Sequence, residues 1–221
     1  MSCVICGGET KKTHKHKLFK TEIVSCSRCD FSFESNNNLS TTNTLLHQKQ
    51  SVNSFGQNYR RNDYYIRVLK NIDKEIKINN LLEIGTPNNF DFLKKVNNSF
   101  NNIRIHSHDI NKYEHPDYIN FSTSKELFLR ENIDIVFCIH VLEHIPTLEL
   151  CEFVDFCKQV SKYFVFEVPL CENDKRIMES STNPHYSFFS QKSIEALFGH
   201  GLEIHKDGKV IKFNNLDFKL Y

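Results

Sequence analysis

From residue 81 onward the chain alternates between two hydrophobic periods. Short apolar runs read as buried strands at 81–85, 103–109, 118–121, 133–142 and 162–170. Between them apolar residues recur three and four positions apart, the spacing of one helix face. Phe90, Leu93, Val96 and Phe100 predict a helix over 87–100, and 124–131 and 148–160 predict two more. The segment 190–201 predicts a further helix that stops at glycine, and strands close the chain. Upstream, Tyr65, Ile66, Leu69, Ile72 and Ile76 predict an amphipathic helix within 51–77. The cluster Tyr59, Tyr64 and Tyr65 on it reads as helix packing rather than as a lid. Repeated strand–helix units with apolar strands predict an α/β fold: a doubly wound, mostly parallel sheet of seven strands covered on both faces. In such sheets a ligand sits at the carboxyl ends of the strands, near the point where the strand order reverses.

The first 34 residues follow another rule. Cys3-x-x-Cys6 and Cys26-x-x-Cys29 form two knuckles separated by residues 7–25, with Gly7 and Gly8 directly after the first. Four thiolates so spaced complete a tetrahedral structural Zn²⁺ site on a small ribbon. The rival is a pair of redox cysteines, which would need a helix after one CxxC, and no helix pattern follows either. His14 and His16, between the knuckles, are expected to be exposed hairpin residues rather than ligands. Cys138, Cys151, Cys157 and Cys171 lack metal spacing and read as apolar packing. Polar, low-complexity residues 35–50 read as a linker, so the chain divides into a ribbon (1–34), a linker and an α/β domain (51–221).

Composition narrows the function. The net charge is +1 over 221 residues. That balance, with no basic stripe, argues against a nucleic-acid partner. No run of 18 apolar residues exists, so no membrane span is expected. The start lacks the basic-then-apolar pattern of a signal peptide, so a cytoplasmic location is expected. Glycine occurs only 7 times, against 23 asparagines. That scarcity leaves no P-loop and no GxGxxG, and asparagine is expected to fill some left-handed backbone positions.

Three strand ends carry candidate chemistry. Glu83-Ile84-Gly85 closes the first strand of the α/β pattern and Asp109 the second. A carboxylate at that second tip matches the vicinal diol of a ribose. A later strand runs into His140-Val141-Leu142-Glu143-His144-Ile145-Pro146, and Asn183-Pro184-His185-Tyr186-Ser187-Phe188-Phe189-Ser190 precedes the last helix.

This ordered set resembles a class I S-adenosylmethionine-dependent methyltransferase over roughly residues 55–221. With the double CxxC it is similar to zinc-containing sugar methyltransferases, although those usually carry a further carboxy-terminal domain. The resemblance implies that Glu83 and Gly85 belong to the first cofactor motif and that Asp109 binds the cofactor ribose. His140, at its strand end, is expected to line the cofactor pocket. The resemblance also implies that His144 and His185 lie near the acceptor, where one acts as base and the other positions the substrate. The expected partner is a small molecule, a sugar or nucleotide-linked sugar. Thr86-Pro87-Asn88-Asn89 replaces the glycines usual after the first motif. One rival is a methyltransferase for another small metabolite or a protein side chain; the other, which this replaced loop suggests, is a non-catalytic binding module that keeps the fold.

Overall fold

A computed structural model describes residues 1–35, 59–87 and 89–199, together with strands at 202–204 and 211–214. The expected linker lies almost wholly outside the described residues.

The main sheet has seven strands: β4 (Asn80–Ile84), β5 (Arg104–His108), β6 (Ile119–Ser122), β7 (Ile133–Ile139), β8 (Ser161–Glu167), β10 (Leu202–Ile204) and β11 (Ile211–Asn214). Their spatial order is β10-β11-β8-β7-β4-β5-β6. The five from β8 to β6 are parallel, and β11 enters antiparallel between β8 and β10. The chain runs outward from β4 through β5 to β6, then crosses back to place β7 on the other side of β4. The strand order therefore reverses between β4 and β7.

Alternation along the strands builds the two faces. Leu82, Ile84, Val136, Cys138, Phe164 and Phe166 point to one side. Leu81, Ile135, Phe137 and Val165 point to the other. Helices α1 (Tyr59–Ile76) and α2 (Asp91–Ser99) cover the second side with Leu69, Ile72, Phe92, Leu93 and Val96. Helices α3 (Leu150–Val160) and α5 (Gln191–Phe198) cover the first with Phe153, Val154, Ile194 and Phe198. A capping box between Ser190 and Ser193 starts α5. The segment expected as a helix at 124–131 is instead a 3₁₀ run, Lys125–Arg130. The sequence pattern gave no sign of the short helix α4 (Asp174–Ser180), which Asn173 caps by accepting from the Arg176 N–H.

The amino-terminal strands β1 (Thr10–Lys15), β2 (Glu22–Cys26) and β3 (Ser32–Glu34) form an antiparallel ribbon. A fourth strand completes that sheet: β9 (Ser187–Phe188), which belongs to the α/β domain and pairs Ser32 with Phe188 and Phe33 with Ser187. The ribbon's Phe31 and Phe33 lie in the same buried cluster as α3, α5 and β7, and Phe31 meets Phe189 at 5.3 Å between rings. Ribbon and domain thus share one core.

Left-handed backbone falls on unexpected residues. Among the described non-glycines with positive φ, only Asn102 is an asparagine; the others are Lys20, Asp30, Lys77, Phe90 and His140. Among the described non-glycine residues of the loop after β4 it is Phe90 (φ 52°), not Asn89, that is left-handed. Phe90 is buried edge-on against Tyr113 and Phe121, so packing holds a conformation that its own Cβ disfavours by about 1–2 kcal/mol.

Candidate active site and cysteine cluster

The two CxxC knuckles are built alike. In the first, the Gly7 N–H donates to the Cys3 carbonyl and the Cys3 N–H to the Gly8 carbonyl, both at 2.9 Å. In the second, the Asp30 N–H donates to Cys26 and the Cys26 N–H to Phe31. The left-handed residue after the knuckle is Gly7 (φ 69°) in one and Asp30 (φ 57°) in the other. The four sulfurs all lie within 4.8 Å of one another, with Cys3–Cys29 at 3.6 Å and Cys6–Cys26 at 3.5 Å. Tetrahedral bonds of about 2.3 Å require sulfurs roughly 3.8 Å apart, so the set fits one thiolate-bound ion. Gly8 passes so close that a Cβ there would sit 3.0 Å from the Cys26 sulfur and 2.9 Å from Arg28 Cβ. His16, expected to be exposed, is fully buried, and its ring stacks on Phe19 at 4.3 Å. His14 is half-buried and meets Asp174 of α4 at 3.1 Å. Cys138, Cys157 and Cys171 are buried without a metal-like neighbour set, and Cys151 is half-buried.

At the strand-order reversal, Gly85 leaves β4 at φ 76° and donates its N–H to the His108 carbonyl at 2.8 Å. A Cβ on Gly85 would come within 2.2 Å of Val141 Cγ2, so the loops after β4 and β7 touch through this glycine. Glu83 is buried and burial pushes its carboxyl up to about 8, with Thr86 lowering and Asp109 raising it. Its Oε2 has no hydrogen-bond partner among the described residues. Asp109, just past β5, accepts from the Asn111 N–H at 2.8 Å and from Asn111 Nδ2 at 3.1 Å. Burial raises its carboxyl and these bonds oppose the rise.

His140 follows β7 in left-handed backbone (φ 56°). This places its ring between two carboxylates, Nδ1 at 2.8 Å from Glu143 and Nε2 at 3.0 Å from Glu167. Burial opposes its charge, but the bonds to Glu143 and Glu167 prevail and raise it to about 9. Glu167, at the end of β8, also accepts from Tyr65 Oη at 2.5 Å and pairs with Arg61, both on α1. Burial would raise Glu167, but His140, Tyr65 and Arg61 hold it below the usual carboxylate range. Tyr65 is thus a packing residue against Phe137 and Phe92 whose hydroxyl reaches the site. Sequence patterning did not single out Arg61, Glu143, Glu167 or Ser180. The signal was present for two of them, since Glu143 sits inside the Val141–Pro146 block and Glu167 ends an apolar strand.

His144 and His185 come together with ring centroids 4.7 Å apart. His144 Nδ1 donates to the Pro184 carbonyl at 3.0 Å, and His185 Nδ1 lies 2.7 Å from Ser180 Oγ. The Tyr186 N–H donates to the Glu143 carbonyl at 2.8 Å, which fixes the loop before β9 against the turn after β7. His140 and Glu143 link this pair to the loop region of Gly85 and Val141, whereas Asp109 lies beyond β4 at the tip of β5.

The donor set fits S-adenosylmethionine. The buried Glu83 carboxyl and the half-buried Asp109 suit a ligand that carries a sulfonium, an ammonium and a ribose diol. Glu83 Oε2, without a hydrogen-bond partner among the described residues, also has polar capacity left over.

Residues 57–206 match the family model described as a methyltransferase domain. Among solved structures the chain is similar to the 1,6-didemethyltoxoflavin-N1-methyltransferase of Burkholderia thailandensis (TM-score 0.57, 10% identity, 94% of this chain and 99% of that one). It is also similar to the magnesium protoporphyrin IX methyltransferase of Synechocystis PCC 6803 (TM-score 0.53, 11% identity, 80% of this chain and 96% of that one). Monomeric WbdD matches at TM-score 0.50 and 14% identity over 76% of this chain, which spans 44% of that protein's length. At these identities the likeness is one of fold. No curated protein sequence matches. With the domain match running through 57–206 of 221 residues and the sheet order to support it, the chain belongs to the methyltransferase domain family, the S-adenosylmethionine-dependent class that its motifs resemble.

Proposed function

We propose that this S-adenosylmethionine-dependent methyltransferase methylates a hydroxyl of a small polar acceptor, a sugar or nucleotide-linked sugar, and that its ribbon holds one structural Zn²⁺ on Cys3, Cys6, Cys26 and Cys29. The observation that carries the acceptor reading is the His144–His185 pair, 4.7 Å apart beside the strand-order reversal. Glu83, Gly85, Asp109 and His140 would hold the cofactor. When bound, the cofactor supplies an electrophilic methyl group on a positively charged sulfur.

The protein's part is binding, alignment and proton handling. Gly85 lets the β4 loop close against Val141 without a side chain in the way. Asp109 would accept the ribose hydroxyls. The Pro184 carbonyl accepts from His144 Nδ1, so that nitrogen carries the proton and Nε2 is the basic one. A hydroxyl held by the pair would lose its proton to that nitrogen. Asn183, in the turn after α4, is suited to polar ring substituents, while the Ser180 hydroxyl at the end of α4 holds His185.

The +1 net charge favours a small acceptor over nucleic acid. The test is methyl transfer from labelled cofactor to a panel of nucleotide sugars and free sugars. His144→Ala is expected to lower kcat by about 10²–10⁴-fold with cofactor affinity unchanged, the range for loss of acid–base assistance. Tight cofactor binding with no transfer to any carbohydrate would move the reading to another small metabolite. No cofactor binding by the folded protein would favour the non-catalytic module.

A further inference from the structure

We infer that Glu143, His144 and His185 form a second metal site, distinct from the cysteine cluster and suited to a borderline first-row divalent cation. A carboxylate oxygen of Glu143 and one ring nitrogen from each histidine lie within 4.8 Å of one another. Bonds of about 2.0–2.2 Å place donors roughly 3–3.5 Å apart, so modest side-chain rotations close the set around an ion.

Two further observations point to a ligand. Glu143 is completely buried, and its Oε2 has no hydrogen-bond partner among the described residues. Its Oε1 already serves His140, so the second oxygen is left to a ligand that none of the described residues supplies. An ion meets that need without another side chain.

The histidines also carry the outer support that metal-binding imidazoles use. His144 Nδ1 donates to the Pro184 carbonyl, and Ser180 Oγ holds His185 Nδ1. Such contacts fix ring orientation and tautomer and direct the other nitrogen to the ion. Two imidazoles and one carboxylate suit Mn²⁺, Fe²⁺, Co²⁺ or Zn²⁺ better than Ca²⁺ or Mg²⁺.

The site's use in catalysis rests on the proposed function: an acceptor hydroxyl bound to the cation would lose its proton to solvent water near neutral pH. The two histidines would then act as ligands, and the metal-bound hydroxyl would replace direct proton transfer to His144.

The experiment uses the full chain with its ribbon metal retained, dialysed free of loose metal and titrated with Co²⁺. Absorption and calorimetry follow the titration. One saturable equivalent is expected, with visible d–d bands and no new thiolate charge-transfer band. Glu143→Gln and His185→Ala are expected to weaken that binding by about 100-fold or more. Ser180→Ala, which removes only the outer contact, is expected to weaken it by roughly 10-fold. Circular dichroism confirms that each variant is folded, and His144→Gln serves if His185→Ala is not.

Absence of saturable Co²⁺ binding overturns the inference, as does binding unchanged in all these variants or accompanied by thiolate charge transfer. Cofactor affinity, measured in parallel, separates the two readings. No metal binding by the wild-type chain, with cofactor binding and transfer intact, removes only the second site. Metal binding without methyl transfer to carbohydrate removes only the acceptor assignment.

Discussion

His16 Nε2 donates a hydrogen bond to the backbone carbonyl of His185 at 3.0 Å, joining the ribbon to the loop before β9. The direction is fixed by the other ring nitrogen. His16 Nδ1 accepts from the Leu18 and Phe19 N–H groups at 3.2 and 3.1 Å, so Nε2 carries the only ring proton. Burial lowers the His16 pKa, and the bond to His185 only partly opposes this. A histidine held neutral in the fold must gain a proton on acid unfolding. Its contribution is therefore full above about pH 6.5 and lost as pH falls through its depressed folded value. His16→Ala is expected to destabilise the protein by about 1–3 kcal/mol, the cost of leaving a buried carbonyl unpaired. It should also flatten the acid limb of a melting-temperature profile. A profile identical to wild type would remove this linkage.

Zinc removal is expected to reach beyond the ribbon. Because β3 pairs with β9 and Phe31 packs on Phe189, chelation should lower the melting temperature of the whole domain in one transition. The purified chain should carry about one Zn²⁺, and Cys26→Ser should release it. Gly8→Ala is the sharper variant: its Cβ would meet the Cys26 sulfur at 3.0 Å, so the knuckle must shift and metal affinity fall. Metal analysis after dialysis against a weak chelator checks this. A metal-free, stable wild type would refute the site.

The parallel sheet was legible because its strands are buried on both faces and read as apolar runs. The cysteine cluster was legible because spacing alone brings four thiolates together. The burial of His16 was not legible. It depends on β9, 171 positions further on, returning to pair with β3, and nothing in the local pattern of residues 10–20 announces that contact. The Glu143–His140–Glu167–Arg61 network was hidden for a related reason. Its members come from a turn, two strand ends and a helix; His140 stood out at its strand end, but Glu143, Glu167 and Arg61 each alone look like an ordinary surface charge. Positive φ at Phe90 and His140 was equally unreadable, since tertiary packing in one case and paired carboxylates in the other override the residues' own preference.

Gly85→Ala is expected to destabilise the fold and weaken cofactor binding together. Two causes add: strain at φ 76° and the 2.2 Å approach to Val141 Cγ2. They can be separated. Val141→Ala removes the steric part, so the double variant should regain some stability over Gly85→Ala and keep the backbone cost of about 1 kcal/mol. Chemical denaturation of the four proteins in the cycle measures the coupling. Strict additivity would show that the loops after β4 and β7 are independent.

Asp109→Ala is expected to weaken binding of S-adenosylmethionine, and of its demethylated product, by about 1–3 kcal/mol, the range for hydrogen bonds to a charged group. Asp109 also holds Asn111 through two hydrogen bonds, so a loop shift could mimic the effect. Asp109→Asn keeps an acceptor for Asn111 and removes the charge. Calorimetry should therefore place it between wild type and Asp109→Ala. Unchanged affinity in both variants would rule out the ribose role.

Glu83 makes stability depend on pH. Burial raises its carboxyl to about 8 in the fold, against about 4.3 in the unfolded chain. Between these values the folded protein holds a proton that the unfolded chain has released. The contribution of Glu83 is thus full below about pH 4.3 and declines as pH rises through 8, at up to about 1.4 kcal/mol per pH unit. His140 adds a loss of the same sign at higher pH, since its folded value near 9 also exceeds its unfolded one. Glu83→Gln keeps the shape of the neutral acid and carries no titrating proton. It should flatten the decline between pH 5 and 8 and leave the steeper part above pH 7 that belongs to His140. Denaturation midpoints across this range check the assignment. An unchanged slope in Glu83→Gln would show that Glu83 is ionised in the fold.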